Sequence, residues 1–470
     1  MNILVLAGSP KGEVSVTRQY VRTLEARFSG HAWSIADVAI RSGRLERDLE
    51  AFDAVIEQVR TADVVLWACP VYVLLVPAGL KRFIELVHAR GAAGAFHGKY
   101  AASLTTSIHF HDNCANDYLR AVSEDLGMAF VAAFSPEMYD LVRPGGMDRL
   151  EAFWRQVLRA AGAQMAMPRA HFPLVRRDWR YDPGPGPEPV ALGDRRVVIL
   201  HDALGEDGNL RAMVGRLSAR FTGSVVTVNL RELRILGNCL GCLRCGSENH
   251  CAYEGRDDFI EMYVQRLQKA DLLVFAGTVT DRHLSAQWRQ FFERGFFNTH
   301  QPSFAGKQLA FLVSGPLSQM ANLREVLTAY AQWQEANLVA ILSDEAGDAR
   351  ALDAQIDALA TRMLGAMAEG YVQPFDFQGV GGRLVFRDHI FGRLRGVFTA
   401  DHRYYARTGF YDFPTRKWGE RLVNRALLAA FRFRGVRRAF DRRVTQGMLR
   451  PFARLALAGQ TTGRPRRVRE

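Results

Sequence analysis

Cysteine is scarce in this chain. Six occur in 470 residues, too few for a disulfide scaffold, and four of them lie between Cys239 and Cys251, a clustering that points to metal or redox chemistry. Long apolar runs are also missing. The longest stretch, Val64 to Leu80, is interrupted by Pro70, Pro77 and Gly79, so it predicts a buried strand, a loop and a helix start instead of a membrane span. Asn2–Leu6 has neither a basic segment before it nor a cleavage site after it, which predicts a cytoplasmic protein. No G-x-G-x-x-G follows this first apolar run, which disfavours a Rossmann dinucleotide site. What is abundant is apolar surface: 48% of residues are hydrophobic and 23% charged, enough to exclude disorder and to build several cores. The net charge of +12 is local. Residues 371–470 carry 22 Lys and Arg against 7 Asp and Glu, while the first 370 carry 39 against 42.

The clearest linker is Trp179–Pro189, where four prolines and two glycines forbid regular structure. The same order of signals stands on either side of it. Apolar strands are expected at 3–7, 64–68, 100–106 and 130–134, and again at 197–200, 225–230, 272–276, 308–314 and 338–342. Helices follow the third strand of each half, near 80–88 and 287–294, and each third strand is preceded by an Ala-Asp pair (Ala62-Asp63, Ala270-Asp271). Short, fully apolar strands alternating with helices mean a parallel sheet covered on both faces. The expected fold is therefore α/β: two tandem doubly wound, flavodoxin-like sheets of five strands, with ligands at the carboxyl ends of the strands. The predicted boundaries are 1–172, a linker 173–193, 194–372, and a basic, mainly helical extension 373–470.

After the first strand comes Gly8-Ser9-Pro10-Lys11-Gly12-Glu13-Val14-Ser15-Val16-Thr17. Hydroxyls at Ser9, Ser15 and Thr17 with the backbone N–H groups of a helix start can cradle a phosphate, and Lys11 adds charge. Ser and Thr also cap helices for structural reasons. The third strand ends in Pro70-Val71-Tyr72, followed by Pro77-Ala78-Gly79-Leu80-Lys81-Arg82-Phe83-Ile84. Together these two motifs resemble the NADPH-dependent FMN reductase family over residues 1–165. The resemblance implies that Ser9, Lys11, Ser15 and Thr17 hold the FMN phosphate and that Pro70, Val71 and Tyr72 line the isoalloxazine. Thr106 and Ser107, at the end of the fourth strand, border the same ligand. His109 and His111 in that loop are candidates for polar contacts to the ring or for proton delivery. A metal reading of His109, His111, Asp112 and Cys114 stands as the alternative.

In the second half Cys239, Cys242, Cys245 and Cys251 follow C-x2-C-x2-C-x5-C. Structural zinc sites pair two separated knuckles, whereas three cysteines two apart are closer to ferredoxin-type ligation. The run, its place between the second and third strands, and the following Asp257-Asp258-Phe259 resemble the iron–sulfur flavoproteins, which implies a [4Fe-4S] cluster on these four cysteines. Zinc or reduced thiols are the alternatives. The flavin loops of this half are absent: His201–Asn209 has acidic residues and no hydroxyl, and Thr278-Val279-Thr280 replaces Pro70-Val71-Tyr72. The two halves thus predict an internal pseudo-dimer in which FMN of one faces the cluster of the other. The expected activity is FMN-dependent oxidoreduction fed by NAD(P)H or a protein donor, with an unknown acceptor. A non-catalytic electron carrier is the rival.

In the extension a helix is expected over 420–440, with Arg421, Arg425 and Arg432 on one face and Leu422, Val423, Ala426, Leu427, Ala430 and Phe431 on the other. Such a helix suits an anionic membrane surface, an acidic partner, the chain's own body or a homodimer mate. Nucleic acid is disfavoured, since no nucleic-acid motif accompanies the charge.

Overall fold

The computed structural model describes residues 1–205, 208–444 and 448. The first half lays down β1 (Asn2–Ala7), α1 (Val16–Arg27), β2 (Ala32–Ala36), α2 (Ser42–Arg47), α3 (Leu49–Thr61), β3 (Val64–Pro70), α4 (Ala78–Ala89), β4 (Tyr100–Thr106), α5 (Asp112–Asp125), β5 (Ala129–Phe134) and α6 (Gly146–Gly162). The second repeats the scheme with β6 (Val190–His201), α7 (Asn209–Ser218), β7 (Phe221–Asn229), the one-turn helices α8 (Cys245–Glu248) and α9 (Phe259–Met262), β8 (Leu272–Thr278), α10 (Ala286–Arg294), β9 (Gln308–Ser314), α11 (Ala321–Trp333), β10 (Asn337–Ser343) and α12 (Ala349–Glu369). The sheet orders are β2-β1-β3-β4-β5 and β7-β6-β8-β9-β10, and every strand pair is parallel. These are two doubly wound sheets of the same topology. The five-strand expectation holds, and β2 fills the one place in the first half that hydropathy had not located. Its alternating exposed and half-buried residues lack the continuous apolar signal of a central strand.

Alternation along β3 shows how the sheets are buried. Val64, Leu66 and Ala68 face α1 and α6 in an outer core with Tyr20, Leu24 and Trp154. Val65, Trp67 and Cys69 face the other way, into a core that continues through Phe83 and Tyr118 to Phe275, Trp288, Phe291 and Tyr330 of the second half. The second half has its own outer core under α7 and α12. One face of each sheet is therefore buried within its own half and the other within a core common to both.

The contact between halves has internal symmetry. Ala78-Gly79-Leu80-Lys81-Arg82-Phe83-Ile84-Glu85 of α4 corresponds position by position to Ala286-Gln287-Trp288-Arg289-Gln290-Phe291-Phe292-Glu293 of α10. Each helix caps the other. The Ala78 N–H donates to Glu293 Oε1 at 2.7 Å and the Ala286 N–H to Glu85 Oε1 at 2.7 Å. Lys81, fully buried, reaches Thr280 Oγ1 at 2.9 Å and Asp281 Oδ2 at 3.1 Å in the second half. Arg289, its counterpart, donates to the carbonyls of Val73 and Val76 at 2.8 Å each and to that of Tyr72. Reciprocal contacts of this kind are those of an isologous dimer, here within one chain.

The linker has no regular structure over 179–189, and it is packed on the second half: Tyr181 is buried and bonded to Asp353 at 2.5 Å, and the carbonyls of Gly184 and Glu188 accept from Arg216 and Arg220 at 2.8 Å each. A proline-rich strand without ladder partners needs such side-chain donors where it packs. The linker also ends at Val190, where β6 begins. The extension is divided. Residues Met1–Tyr405, including α13 (Phe377–Phe391) and most of α14 (Thr399–Arg407), form one compact unit, and those from Ala406 form another. In the second unit the expected 420–440 helix is interrupted: α15 (Trp418–Ala430) ends in a turn at 431–433, which holds Arg432, and helix resumes over 434–444. Trp418, Leu422, Val423 and Leu428 of α15 are exposed. The basic end of the chain at 459–470 lies outside the described residues, as do Glu206 and Asp207. Among the described residues no helix is long and apolar enough to cross a membrane.

Candidate functional site

A single cavity of about 390 Å³ gathers most of the predicted residues. From the first half it is lined by Ser9, Lys11, Ser15 and Thr17, by Pro70, Val71 and Tyr72, and by Thr106 and Ser107. From the second half it is lined by all four clustered cysteines. Neither half could bring these sets together alone, since residues 9–17 and 239–251 belong to different sheets.

The hydroxyl group of the site is ordered by α1. Ser15 is the N-cap, its Oγ accepting from the Arg18 N–H at 3.0 Å, so the capping role that any helix gives such a residue is real here and coexists with exposure to the cavity. Thr17 Oγ1 lies 2.6 Å from Thr106 Oγ1, and the Lys11 N–H donates to Ser9 Oγ at 3.2 Å. The positive end of a helix and three hydroxyls next to a lysine form an anion cradle. The loop after β3 is held in a costly shape: Val73 and Leu74 have φ of 43° and 74°, rare for bulky side chains. The Tyr72 N–H bonds to the Leu75 carbonyl at 2.9 Å, and the Arg289 fork fixes the carbonyls around it. A cavity with one polar pole and aromatic and aliphatic walls fits FMN, which has a phosphate at one end and a planar ring at the other.

The cysteine loop presses on these flavin loops. Gly241, at φ 61°, sits so near that a Cβ there would collide with the Tyr72 hydroxyl and stand 2.8 Å from Lys11 Cε. The loop is buttressed from α10. Arg294 is buried, pairs with Asp257 at 2.8 and 3.0 Å, donates to the Gly237 carbonyl at 3.0 Å, and lies 4.3 Å from the centre of the Tyr253 ring. Burial pushes the thiols of Cys239 and Cys245 up to about 12, so these sulfurs act as thiolates only when a metal compensates the charge.

Several lining residues escaped the sequence reading. Glu293 faces the cavity from α10, nearly fully buried, with Oε2 lacking a partner. Burial raises its carboxyl to about 7 against the opposing pull of Arg289. Its counterpart Glu85 has the reverse fate, being held below the ordinary range by Lys81, Thr280 and the Ala286 N–H in spite of burial. Aligning the two helices would have flagged Glu293. Phe386 and Phe398 line the cavity from the extension, packing on His300 with ring centres at 4.3 and 4.8 Å. His300 Nδ1 is 2.6 Å from the fully buried Asp401. No spacing in the sequence links positions 100 residues apart.

His109 and His111 are not among the residues that line the cavity, whereas their neighbours Ile108 and Phe110 are. Both histidines adopt positive φ at the start of α5 (62° and 55°). That turn directs His109 to Asp112, at 3.0 Å, and His111 to Cys114 and Glu325. In the second half, the position after β6 is filled by the protein itself: the buried Asp202 carboxylate accepts from the Thr278 N–H at 3.1 Å and from Ser285.

A sequence profile described as NADPH-dependent FMN reductase matches residues 1–136 and again residues 195–347. Comparison with curated protein sequences gives no match. Among solved structures, similarity extends to an NADPH-quinone reductase from P. pentosaceus (15% identity, 34% of this chain and 98% of that one, TM-score 0.27). It also extends to an FMN-dependent NADH-azoreductase from Bacillus anthracis in complex with FMN (11% identity, 35% and 99%, TM-score 0.27). A third is the general stress protein 14 from Treponema denticola, also in complex with FMN (13% identity, 34% and 98%, TM-score 0.26).

Proposed function

This chain belongs to the NADPH-dependent FMN reductase family, and on that premise we propose that it is a fused pseudo-dimeric FMN oxidoreductase whose first half binds the flavin and whose second half supplies a [4Fe-4S] cluster to the same site. The observation that carries the reading is the shared cavity, lined by Ser9, Lys11, Ser15, Thr17, Pro70, Val71 and Tyr72 and by Cys239, Cys242, Cys245 and Cys251. FMN held by these residues would supply hydride and single-electron chemistry, and a cubane cluster on the four cysteines would supply one-electron chemistry. The residues do the rest. The α1 start with Ser9, Ser15, Thr17 and Lys11 neutralises the phosphate. Arg289 fixes the loop carrying Tyr72, and the buried walls from Phe386 and Phe398 exclude water. Arg294 and Asp257 hold the cysteine loop against the flavin loop.

The reductant is NADPH or NADH. The exposed apolar residues and arginines of α15 support docking of the second unit on an anionic surface or acidic partner. The test is an anaerobic absorption spectrum of the full chain, with FMN, iron and acid-labile sulfide quantified, followed by mixing with NADPH and NADH. One FMN and four iron per chain, with rapid bleaching of the flavin by a nicotinamide, is the expected result. Two FMN per chain, or no iron after anaerobic reconstitution, would overturn it. Reduction by dithionite but by neither nicotinamide would favour the electron carrier.

A further inference from the structure

The loop after β4 carries a second candidate metal centre, separate from the cavity. His111 is the N-cap of α5, Cys114 lies one turn on, and Glu325 comes from α11 of the other half. Their ligand atoms all lie within 4.8 Å of one another. His111 Nδ1 is 3.9 Å from Cys114 Sγ and 3.6 Å from Glu325 Oε1. A tetrahedral zinc with Zn–S of about 2.3 Å and Zn–N and Zn–O near 2.1 Å separates nitrogen from sulfur by about 3.6 Å and nitrogen from oxygen by about 3.4 Å. The observed separations exceed these by a few tenths of an ångström, within the reach of small rotations.

The surroundings suit a resident ion. Cys114 is buried and the side chain of His111 is 8% exposed. The positive φ of His111 is a conformation non-glycine residues seldom adopt. Outer contacts orient the ligands. Asn113 Nδ2 donates to Glu325 Oε1 at 3.0 Å, and Asn322 Nδ2 donates to the Cys114 carbonyl at 2.9 Å.

We propose that His111, Cys114 and Glu325 bind one zinc ion that clamps α5 of the first half to α11 of the second, with water in the fourth position. On binding, the Cys114 thiol gives its proton to solvent, and thiolate and carboxylate together balance the charge of Zn²⁺. No electron is transferred. The site's role is mechanical: it ties together the two halves whose common face forms the cavity.

The experiment uses the full chain carrying Cys239→Ala and Cys242→Ala, so that the cysteine cluster cannot take up the probe, titrated with cobalt(II). The expected result is one equivalent bound, with tetrahedral d–d bands at wavelengths beyond the flavin absorption and a thiolate charge-transfer band. Adding Cys114→Ala should abolish the charge-transfer band, and adding Glu325→Gln should weaken binding at least about tenfold, the size of effect expected for a lost ligand or its support. Glu325 is partly exposed, so its variant serves as the test should Cys114→Ala not fold, with circular dichroism as the control. Absence of cobalt binding, or bands that survive both substitutions, would overturn the proposal.

Discussion

At the scale of single residues, the site is governed by which buried polar groups have partners. Thr17 is buried with its hydroxyl against Thr106, at the pole assigned to phosphate. Thr17→Val keeps the shape and removes the donor. It should weaken FMN binding about tenfold, or ~1.4 kcal/mol, as read by fluorescence quenching on the apoprotein; an unchanged Kd would remove Thr17 from the cradle. His283 is the opposite case, fully buried between the halves. Burial, and then Lys81 and Arg289, hold its pKa well below the ordinary 6.5. Below about pH 6.5 the unfolded chain takes up a proton that the folded chain refuses, so stability falls as pH falls. His283→Leu should flatten that part of the profile, and its melting temperature should drop less than the wild type's between about pH 7 and 5. Equal slopes would mean that other groups carry the acid sensitivity.

At the scale of elements, α4 and α10 are the same helix used twice and then differentiated. Both keep a glutamate that caps the partner helix. Lys81 stayed with Glu85 at 2.8 Å, whereas Arg289 turned to the carbonyls of the flavin loop and left Glu293 with an unpartnered oxygen. The two glutamates should therefore respond differently to the same change. Glu85→Gln removes a charged partner from a fully buried lysine and should cost about 2 kcal/mol in chemical denaturation. Glu293→Gln retains the acceptor for the Ala78 N–H and relieves a buried charge, so it should cost less than about 1 kcal/mol. Equal losses would contradict this account of how the symmetry was broken. The pairing of α4 with α10 was half legible: the sequence placed both helices, yet nothing in a hydropathy pattern says which apolar face meets which.

At the scale of the whole molecule, the two sheets are bound by a common core running from Val65 and Trp67 through Phe83 and Tyr118 to Phe275 and Phe291. Residues 1–172 expressed alone would expose that face, including Phe83, Ile84 and Leu119. They should aggregate or bind a hydrophobic dye, as a large uncovered apolar patch does. Cooperative unfolding of the isolated half with FMN bound would refute the common core. Local signals were enough to identify the two repeats, the phosphate and ring loops, and the cysteine run. Each rests on residues adjacent in the chain, and hydrophobic period, helix caps and ligand spacing are local quantities. The cavity in which those motifs meet was decided by tertiary structure alone. So were Glu293, His300 and Asp401 around it, the turning of His111 toward Glu325, and the division of the basic extension near Tyr405. Those depend on contacts between residues 100 to 230 positions apart, which are set by how two buried faces pack and leave no periodic trace in the sequence.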